Sequence, residues 1–139
     1  CVWILRQWRP AVGEWVWELP AGLLERREPP ADAARRECEE EIGRRPGTLT
    51  PLGSLLTSPG ILAERTHVFR AEALEPVPAR PDGHEEELAE RHLLDPGDLR
   101  EMVASGTVRN AITISALALA GIAPGGGEGD IRAAKASDR

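Results

Sequence analysis

The sequence predicts one α/β domain in which strands and helices alternate irregularly. β-Prone and helical segments are mixed along the chain, yet regular β-α-β repeats are too few for a doubly wound parallel fold. A length of 139 residues suits a single domain that can bury a core. With 41% hydrophobic and 29% charged residues, the composition is that of a globular protein.

Charge and hydropathy exclude several classes of protein. Seventeen basic and 23 acidic side chains give a net charge of −6, which argues against a general binder of nucleic acid or anionic membranes. No segment approaches the roughly 20 apolar residues that a membrane span requires. Two well-separated cysteines and the lack of a visible signal peptide favour a cytoplasmic protein. Because the chain lacks an initiator Met and begins in a strand-like segment, we expect its true N-terminus to be missing.

The first half of the chain predicts two strands and one helix. The strands are residues 2–7 and 14–19, and the turn-rich residues 9–13 join them. A helix over residues 31–42 follows two prolines. Gly43 ends this helix as the residue after the C-cap, and Pro46 supports the stop.

The second half predicts three strands, two helices and a tail. The strands are segments 49–57, 65–74 and 88–94. A short helix over 95–105 opens with Asp95-Pro96, and Asn110 is the predicted N-cap of a final helix that runs to Ala120. Residues 124–139 are glycine-rich and small, so we expect a domain of residues 1–123 followed by a tail.

Three glutamates on the first helix suggest metal chemistry. Glu37, Glu40 and Glu41 are spaced i, i+3 and i+4, so they share one helix face and repel by about 0.2–0.5 kcal/mol for each close pair. A hard cation such as Mg²⁺ would turn this cost into affinity. The alternative is a solvated acidic face, with Arg35 and Arg36 as ion-pair partners.

The spacing around this helix resembles the signature of the Nudix hydrolase family. Gly22, five residues, Glu28, seven residues and then the segment Arg36-Glu37-Cys38-Glu39-Glu40-Glu41-Ile42-Gly43 match every fixed polar and glycine position. Cys38 is a small residue at an apolar position, and Arg44 is charged where the family is usually apolar. The resemblance implies an α/β/α sandwich with a mixed central sheet and metal-assisted hydrolysis of a nucleoside diphosphate linked to another group.

The resemblance also implies roles for the signature residues. Glu37, Glu40 and Glu41 would hold Mg²⁺ or Mn²⁺, together with the carbonyl oxygen of Ala21. Gly22 would allow the tight turn that aims this carbonyl.

Other signature positions are implied to be structural. Glu28 would pair with Arg36 and stiffen the unit of loop and helix, and Gly43 would end the helix.

Segments outside the signature are similar to ADP-ribose pyrophosphatases. These are residues 6–13, 17–25 and 57–60, and the similarity runs from about residue 2 to 121. It implies Mg²⁺-dependent hydrolysis of ADP-ribose to AMP and ribose 5-phosphate. Two alternatives stay open: another nucleoside diphosphate sugar such as GDP-mannose, or a module that senses a nucleotide without cleaving it. The intact set of three glutamates weighs against the sensing module.

Similarity to this subfamily implies further site residues. Arg9 would bind the nucleotide, Glu25 would lie near the ribose-phosphate end, and Pro59 matches a diagnostic proline. Glu85 and Glu87 would be catalytic, with the register relative to Glu86 open, and we also predict a catalytic role for Glu40. A solvated acidic loop is the alternative for Glu85 and Glu87.

The subfamily resemblance implies a homodimer as well. Its members carry an N-terminal β-rich segment that swaps across a dimer, and we expect this segment to be among the missing N-terminal residues. Trp15 and Trp17 share one strand face, where packing in a core or an interface is favoured over stacking on adenine.

Overall fold

The computed structural model describes residues 1–80 and 88–122, so the acidic segment with Glu85 and Glu87 and the predicted tail lie outside the described residues. Every predicted strand and helix of the described parts has a counterpart. The strands are β1 (Val2–Arg9), β2 (Glu14–Glu18), β3 (Arg44–Leu56), β4 (Arg65–Pro76) and β5 (Glu90–Leu94). The helices are α1 (Pro30–Ile42), α2 (Pro96–Ala104) and α3 (Ala111–Leu119).

The first sheet has β1 at its centre, between β2 and β5. Both pairings are antiparallel, and Leu5 lies opposite Glu18 of β2 and Arg91 of β5. Side chains of paired residues share a face of the sheet. One face therefore carries Leu5, Glu18 and Arg91, and this is the face from which the Arg91 side chain donates to the backbone oxygen of Glu41 in α1.

The second sheet is the antiparallel hairpin of β3 and β4. It runs from the pair Arg44–Pro76 to the pair Leu56–Arg65, with an irregularity between Pro51 and Gly53. β3 therefore starts five residues before the predicted strand, directly after α1. The segment Arg44-Arg45-Pro46-Gly47 has weak β-propensity, but pairing with β4 extends through it, which shows tertiary context overriding local preference. Pro46 is tolerated because a two-stranded sheet leaves one edge of each strand unpaired.

All strand pairs found in residues 1–80 and 88–122 are antiparallel, and they form two separate sheets. Helices and sheets nevertheless pack in the α/β manner that the sequence predicts. α1 packs against β3 and β4, and α3 also contacts β3. The core of the first sheet forms where Ile4 meets Leu99 of α2, Leu117 of α3 and Val108.

The ends of the helices follow their sequences. Gly43 adopts the left-handed conformation, at φ 61°, and its N–H donates to the carbonyl of Cys38, as expected for the residue that stops α1. Asn110 caps α3, because its side-chain oxygen accepts from the backbone N–H of Thr113 at 2.8 Å. No helix within the described residues is long and apolar enough to cross a membrane.

Candidate active site

The loop before α1 lies directly on the carboxylates of that helix. The backbone N–H of Ala21 donates to Oε2 of Glu41 at 2.9 Å. At Gly22, a Cβ atom would fall 2.0 Å from Oε1 of Glu37, far inside van der Waals contact. Glycine at position 22 therefore permits a close approach to a carboxylate rather than a positive φ.

Hydrogen bonds from the Arg36 side chain connect this loop to the helix. Its Nε and Nη2 donate to the two carboxylate oxygens of Glu28, each at 3.0 Å, and Nη2 also donates to the carbonyl of Leu23. The bidentate hydrogen bonds lower the pKa of the Glu28 carboxyl and raise the pKa of the Arg36 guanidinium. Loop and helix are thus joined as the sequence resemblance implies for this pair.

The third guanidinium nitrogen of Arg36, Nη1, forms ion pairs with two of the predicted metal ligands. Nη1 lies 2.6 Å from Oε1 of Glu37 and 2.9 Å from Oε2 of Glu40. Glu37 and Glu41 are only 8% and 4% exposed. Such burial does not fit a solvated acidic face, because buried carboxylates are costly unless they are paired or bind a cation. Two like-charged groups held by one guanidinium nitrogen form a strongly anionic, partly buried cluster.

A divalent cation fits the chemistry of this donor set. Carboxylate oxygens are the ligands that Mg²⁺ and Mn²⁺ prefer, and the space at Gly22 that a Cβ would fill lies against one of these carboxylates. Within residues 1–80 and 88–122, no group of three or more His, Cys, Asp or Glu residues already has the geometry of a metal site. Glu37 and Glu40 are directed to Arg36 instead, and Glu41 to Ala21.

Arg9, the predicted nucleotide ligand, is anchored by a residue that sequence reasoning missed. Its Nη2 and Nε lie 2.6 Å and 3.0 Å from Oε2 of Glu18. Gln7 also donates to this oxygen, and Asn110 donates to the other. The sequence does show that Glu18 ends the alternating segment 14–18, which predicts a strand. Its hydrogen-bond partners, however, come from other parts of the chain and could not be inferred from that segment.

The remaining predicted site residues lie apart from this cluster or outside the described residues. Glu25 is exposed in the loop before α1, and its backbone N–H donates to Oε2 of Glu28 at 2.9 Å. Pro59 is exposed in a turn closed by Ser58, at the opposite end of the β3–β4 hairpin from Gly43. Glu85 and Glu87 fall outside the described residues.

Two side chains stand at the apolar positions of the signature, Cys38 and Arg44. Arg44, which departs from the apolar family pattern, lies with its guanidinium carbon 5.0 Å from the ring centroid of Trp3. A cation–π contact thus replaces the usual apolar packing at this position. Cys38 lies beside the acidic side chains, and burial with the charges of Glu41 and Glu37 raises the pKa of its thiol to about 11. It therefore stays a neutral thiol at physiological pH.

Comparisons with known proteins give one domain match and several similar relatives. The chain matches the NUDIX domain over residues 2–114. It is 35% identical to the ADP-ribose pyrophosphatase of Bacillus subtilis over 114 residues, covering 82% of this chain and 62% of that relative. It is 44% identical to the ADP-ribose pyrophosphatase of Mycobacterium tuberculosis over 82 residues, covering 58% of this chain and 39% of that relative.

A solved structure shares the fold. The crystal structure of an ADP compounds hydrolase superposes with a TM-score of 0.76 and 23% sequence identity, over 85% of this chain and 63% of that one. The present chain thus spans less than two thirds of each of these three proteins. With the signature residues around α1, the domain match over residues 2–114 and the shared fold, this chain belongs to the Nudix family.

Proposed function

We propose that this protein hydrolyses the pyrophosphate bond of a nucleoside diphosphate sugar, with ADP-ribose as its substrate and AMP and ribose 5-phosphate as products. The observation that carries the proposal is the contact of the Ala21–Gly22 backbone with the buried carboxylates of Glu41 and Glu37. Names of relatives support the substrate class, since both sequence relatives described above are ADP-ribose pyrophosphatases.

Glu37, Glu40 and Glu41, with the carbonyl of Ala21, would hold Mg²⁺ or Mn²⁺. A bound divalent cation neutralises pyrophosphate charge and makes a water molecule more acidic. The hydrogen bonds from Arg36 to Glu28 keep loop and helix in register. In the reaction, a water oxygen bonds to one phosphorus, the bridging P–O bond breaks, and the proton of the water passes to a base.

Residues outside the carboxylate cluster are proposed to bind the substrate. Arg9 would contact the phosphates of the adenylate half, because a guanidinium matches phosphate geometry. Glu25 and the loop at Pro59 would contribute to the pocket for the terminal sugar. Partial exposure of the Arg9 side chain, at 39%, leaves it accessible to a ligand.

Glu87 is proposed as the group that takes the proton or supports the cation, and Glu40 as a further catalytic group. Replacing Glu87 by Gln should lower kcat by about 10²–10⁴-fold with little change in KM, because a general base contributes about that much. Steady-state kinetics on Glu87→Gln and Glu85→Gln would compare the two residues. If neither substitution changes kcat, the acidic segment has no role in catalysis.

Substrate choice is tested with a panel of compounds on the full-length protein. We expect kcat/KM to be higher for ADP-ribose than for GDP-mannose or nucleoside triphosphates. Cleavage of GDP-mannose without cleavage of ADP-ribose would favour the other nucleoside diphosphate sugar. Nucleotide binding without any cleavage, at saturating Mg²⁺, would favour the sensing module.

The protein is also proposed to act as a cytoplasmic homodimer. Trp8 and Trp15 are 41% and 39% exposed and lie in edge-on contact, 6.1 Å between ring centroids, on the face of the first sheet that also carries Ile4. Adjacent exposed indoles suit a surface that is covered by a partner. Both cysteines are free, which suits a reducing compartment. Light scattering of the full-length protein should give the mass of a dimer, and a fully active monomer would contradict this.

A further inference from the structure

Outside the signature, Glu18 is a carboxylate that accepts hydrogen bonds from several side chains. It ends β2, is 9% exposed, and receives N–H donors from three side chains. Gln7 Nε2 lies 3.1 Å from Oε2, the two Arg9 nitrogens lie 2.6 Å and 3.0 Å from the same oxygen, and Asn110 Nδ2 lies 3.0 Å from Oε1. Both carboxylate oxygens are thereby used.

Burying a carboxylate at a strand position costs desolvation free energy, even when the group is fully hydrogen-bonded. Replacing a buried ion pair by apolar groups of similar volume is often neutral or stabilising, so stability alone does not account for Glu18. Its partner differs in exposure: the Glu18 side chain is 11% exposed and that of Arg9 is 39% exposed. The buried Glu18 carboxylate thus accepts hydrogen bonds from Nε and Nη2 on one edge of the guanidinium. The Arg9 side chain is at the same time partly exposed at the surface.

The anchor is itself fixed to the rest of the fold. Asn110 donates to Glu18 with its amide nitrogen and accepts from the N–H of Thr113 with its oxygen. The residue after Glu18, Leu19, donates its backbone N–H to the hydroxyl of Thr113 at 3.1 Å. Two hydrogen bonds, one at Glu18 and one at Leu19, therefore hold the end of β2 to the start of α3.

The same strand end leads into the carboxylate cluster. Glu18 precedes Ala21 by three residues, and the N–H of Ala21 donates to Glu41. The network around Glu18 and the contacts of Ala21 and Gly22 with α1 are consecutive along the chain. An arginine oriented by Glu18 is thus fixed relative to the glutamates of α1.

We propose that Glu18 is a positioning residue that orients the guanidinium of Arg9 for the phosphates of an adenylate ligand. This inference rests on the proposed function, because it takes Arg9 as the residue that binds the nucleotide half of the substrate. Glu18 itself need not touch the substrate. Its effect passes through Arg9, and Asn110 supports it from α3.

A double-mutant cycle tests this route. The four proteins are the full-length wild type, Glu18→Gln, Arg9→Ala and the double variant. Two quantities are measured: kcat and KM for ADP-ribose hydrolysis, and the Kd of AMP by calorimetry. Glu18→Gln should raise KM and Kd by about 10-fold and change kcat little, because it removes a charge-assisted hydrogen bond to a binding group. The double variant should be no weaker than Arg9→Ala alone.

Two controls accompany the cycle. Glu72→Gln makes the same chemical change on β4 of the second sheet, where Glu72 is exposed and lies opposite Thr48, so KM and Kd should match the wild type. Asn110→Ser keeps an oxygen to cap α3 while replacing the amide N–H that reaches Glu18 with a shorter hydroxyl. It should raise KM and Kd modestly, by about 2–5-fold, and only when Arg9 is present. This variant also tests the proposal if Glu18→Gln does not fold.

Additive losses in Glu18→Gln and Arg9→Ala would overturn the positioning role, as would an unchanged KM and Kd in a folded Glu18→Gln protein. The proposed function fails separately. If the wild type binds AMP but cleaves no nucleoside diphosphate sugar, the hydrolase proposal is wrong, while the Kd cycle still decides the role of Glu18. A wild type that neither cleaves a nucleoside diphosphate sugar nor binds AMP overturns both.

Discussion

Replacing Glu41 by Gln should lower kcat/KM for ADP-ribose by about 100-fold or more, since losing even an outer-shell partner of a metal site costs about 10–100-fold. Glu41 is 4% exposed and accepts the N–H of Ala21. The amide oxygen of Gln can still accept this hydrogen bond, so the loop should keep its place. What is lost is one negative charge at the proposed cation site.

Folding should survive this substitution, because it relieves repulsion among neighbouring glutamates. Glu39→Gln is the matched control on the same helix. Glu39 pairs with Arg45 at 2.7 Å and lies outside the predicted ligand set, so its kcat/KM should stay close to that of the wild type. Steady-state kinetics at several Mg²⁺ concentrations, with a thermal melt of each variant, makes the comparison. Near-native turnover of Glu41→Gln at saturating Mg²⁺ would remove Glu41 from the ligand set.

The second large effect is expected from Gly22→Ala. The added Cβ would lie 2.0 Å from Oε1, 2.1 Å from Cδ and 2.4 Å from Oε2 of Glu37. These atoms end a flexible side chain, so the carboxylate can rotate away and the protein should fold. Glu37 would then be displaced from the site, and a displacement of about 1 Å can cost about 100-fold in rate. We expect a loss of that order in kcat/KM and a weaker dependence on added Mg²⁺.

Gly97→Ala, in α2, is the control for this change. A Cβ at Gly97 would meet Nη2 of Arg100 at 3.9 Å, an ordinary contact, so the same substitution should leave kcat/KM unchanged and should not lower the melting temperature. If Gly22→Ala were as active as Gly97→Ala, the close approach of the loop to Glu37 would have no role in catalysis. If Gly22→Ala failed to fold, the contact would be structural instead.

Local signals made α1 predictable from the sequence. Paired prolines before it, an apolar face and a glycine after it fix both of its ends within about one residue, because capping and steric rules act over a few positions. The hairpin was less predictable. β3 begins at Arg44 rather than at residue 49, since its first residues take their conformation from pairing with β4. The described strands form two antiparallel sheets, and one of these contains a pairing between strands far apart in the sequence, β1 and β5. Local sequence patterns do not predict which distant strands pair.

The candidate site divides in the same way. The pairing of Glu28 with Arg36 follows from one family spacing, and the structure has that ion pair. Glu18 was missed because its partners lie 9, 11 and 92 residues away, so no short motif joins them. The burial of Glu37 and Glu41 was equally invisible, because the helix period alone does not tell which face of an acidic helix another segment covers.

A cation held by the glutamates of α1 is proposed to support the cleavage of ADP-ribose, and removal of the metal tests this directly. Full-length protein, stripped of metal by a chelator, would be incubated with ADP-ribose while Mg²⁺ is titrated back and the products are separated. We expect no turnover without the cation, and AMP and ribose 5-phosphate in equal amounts once Mg²⁺ is added. Turnover that is unchanged in the stripped protein, or no cleavage at any Mg²⁺ concentration, would contradict it.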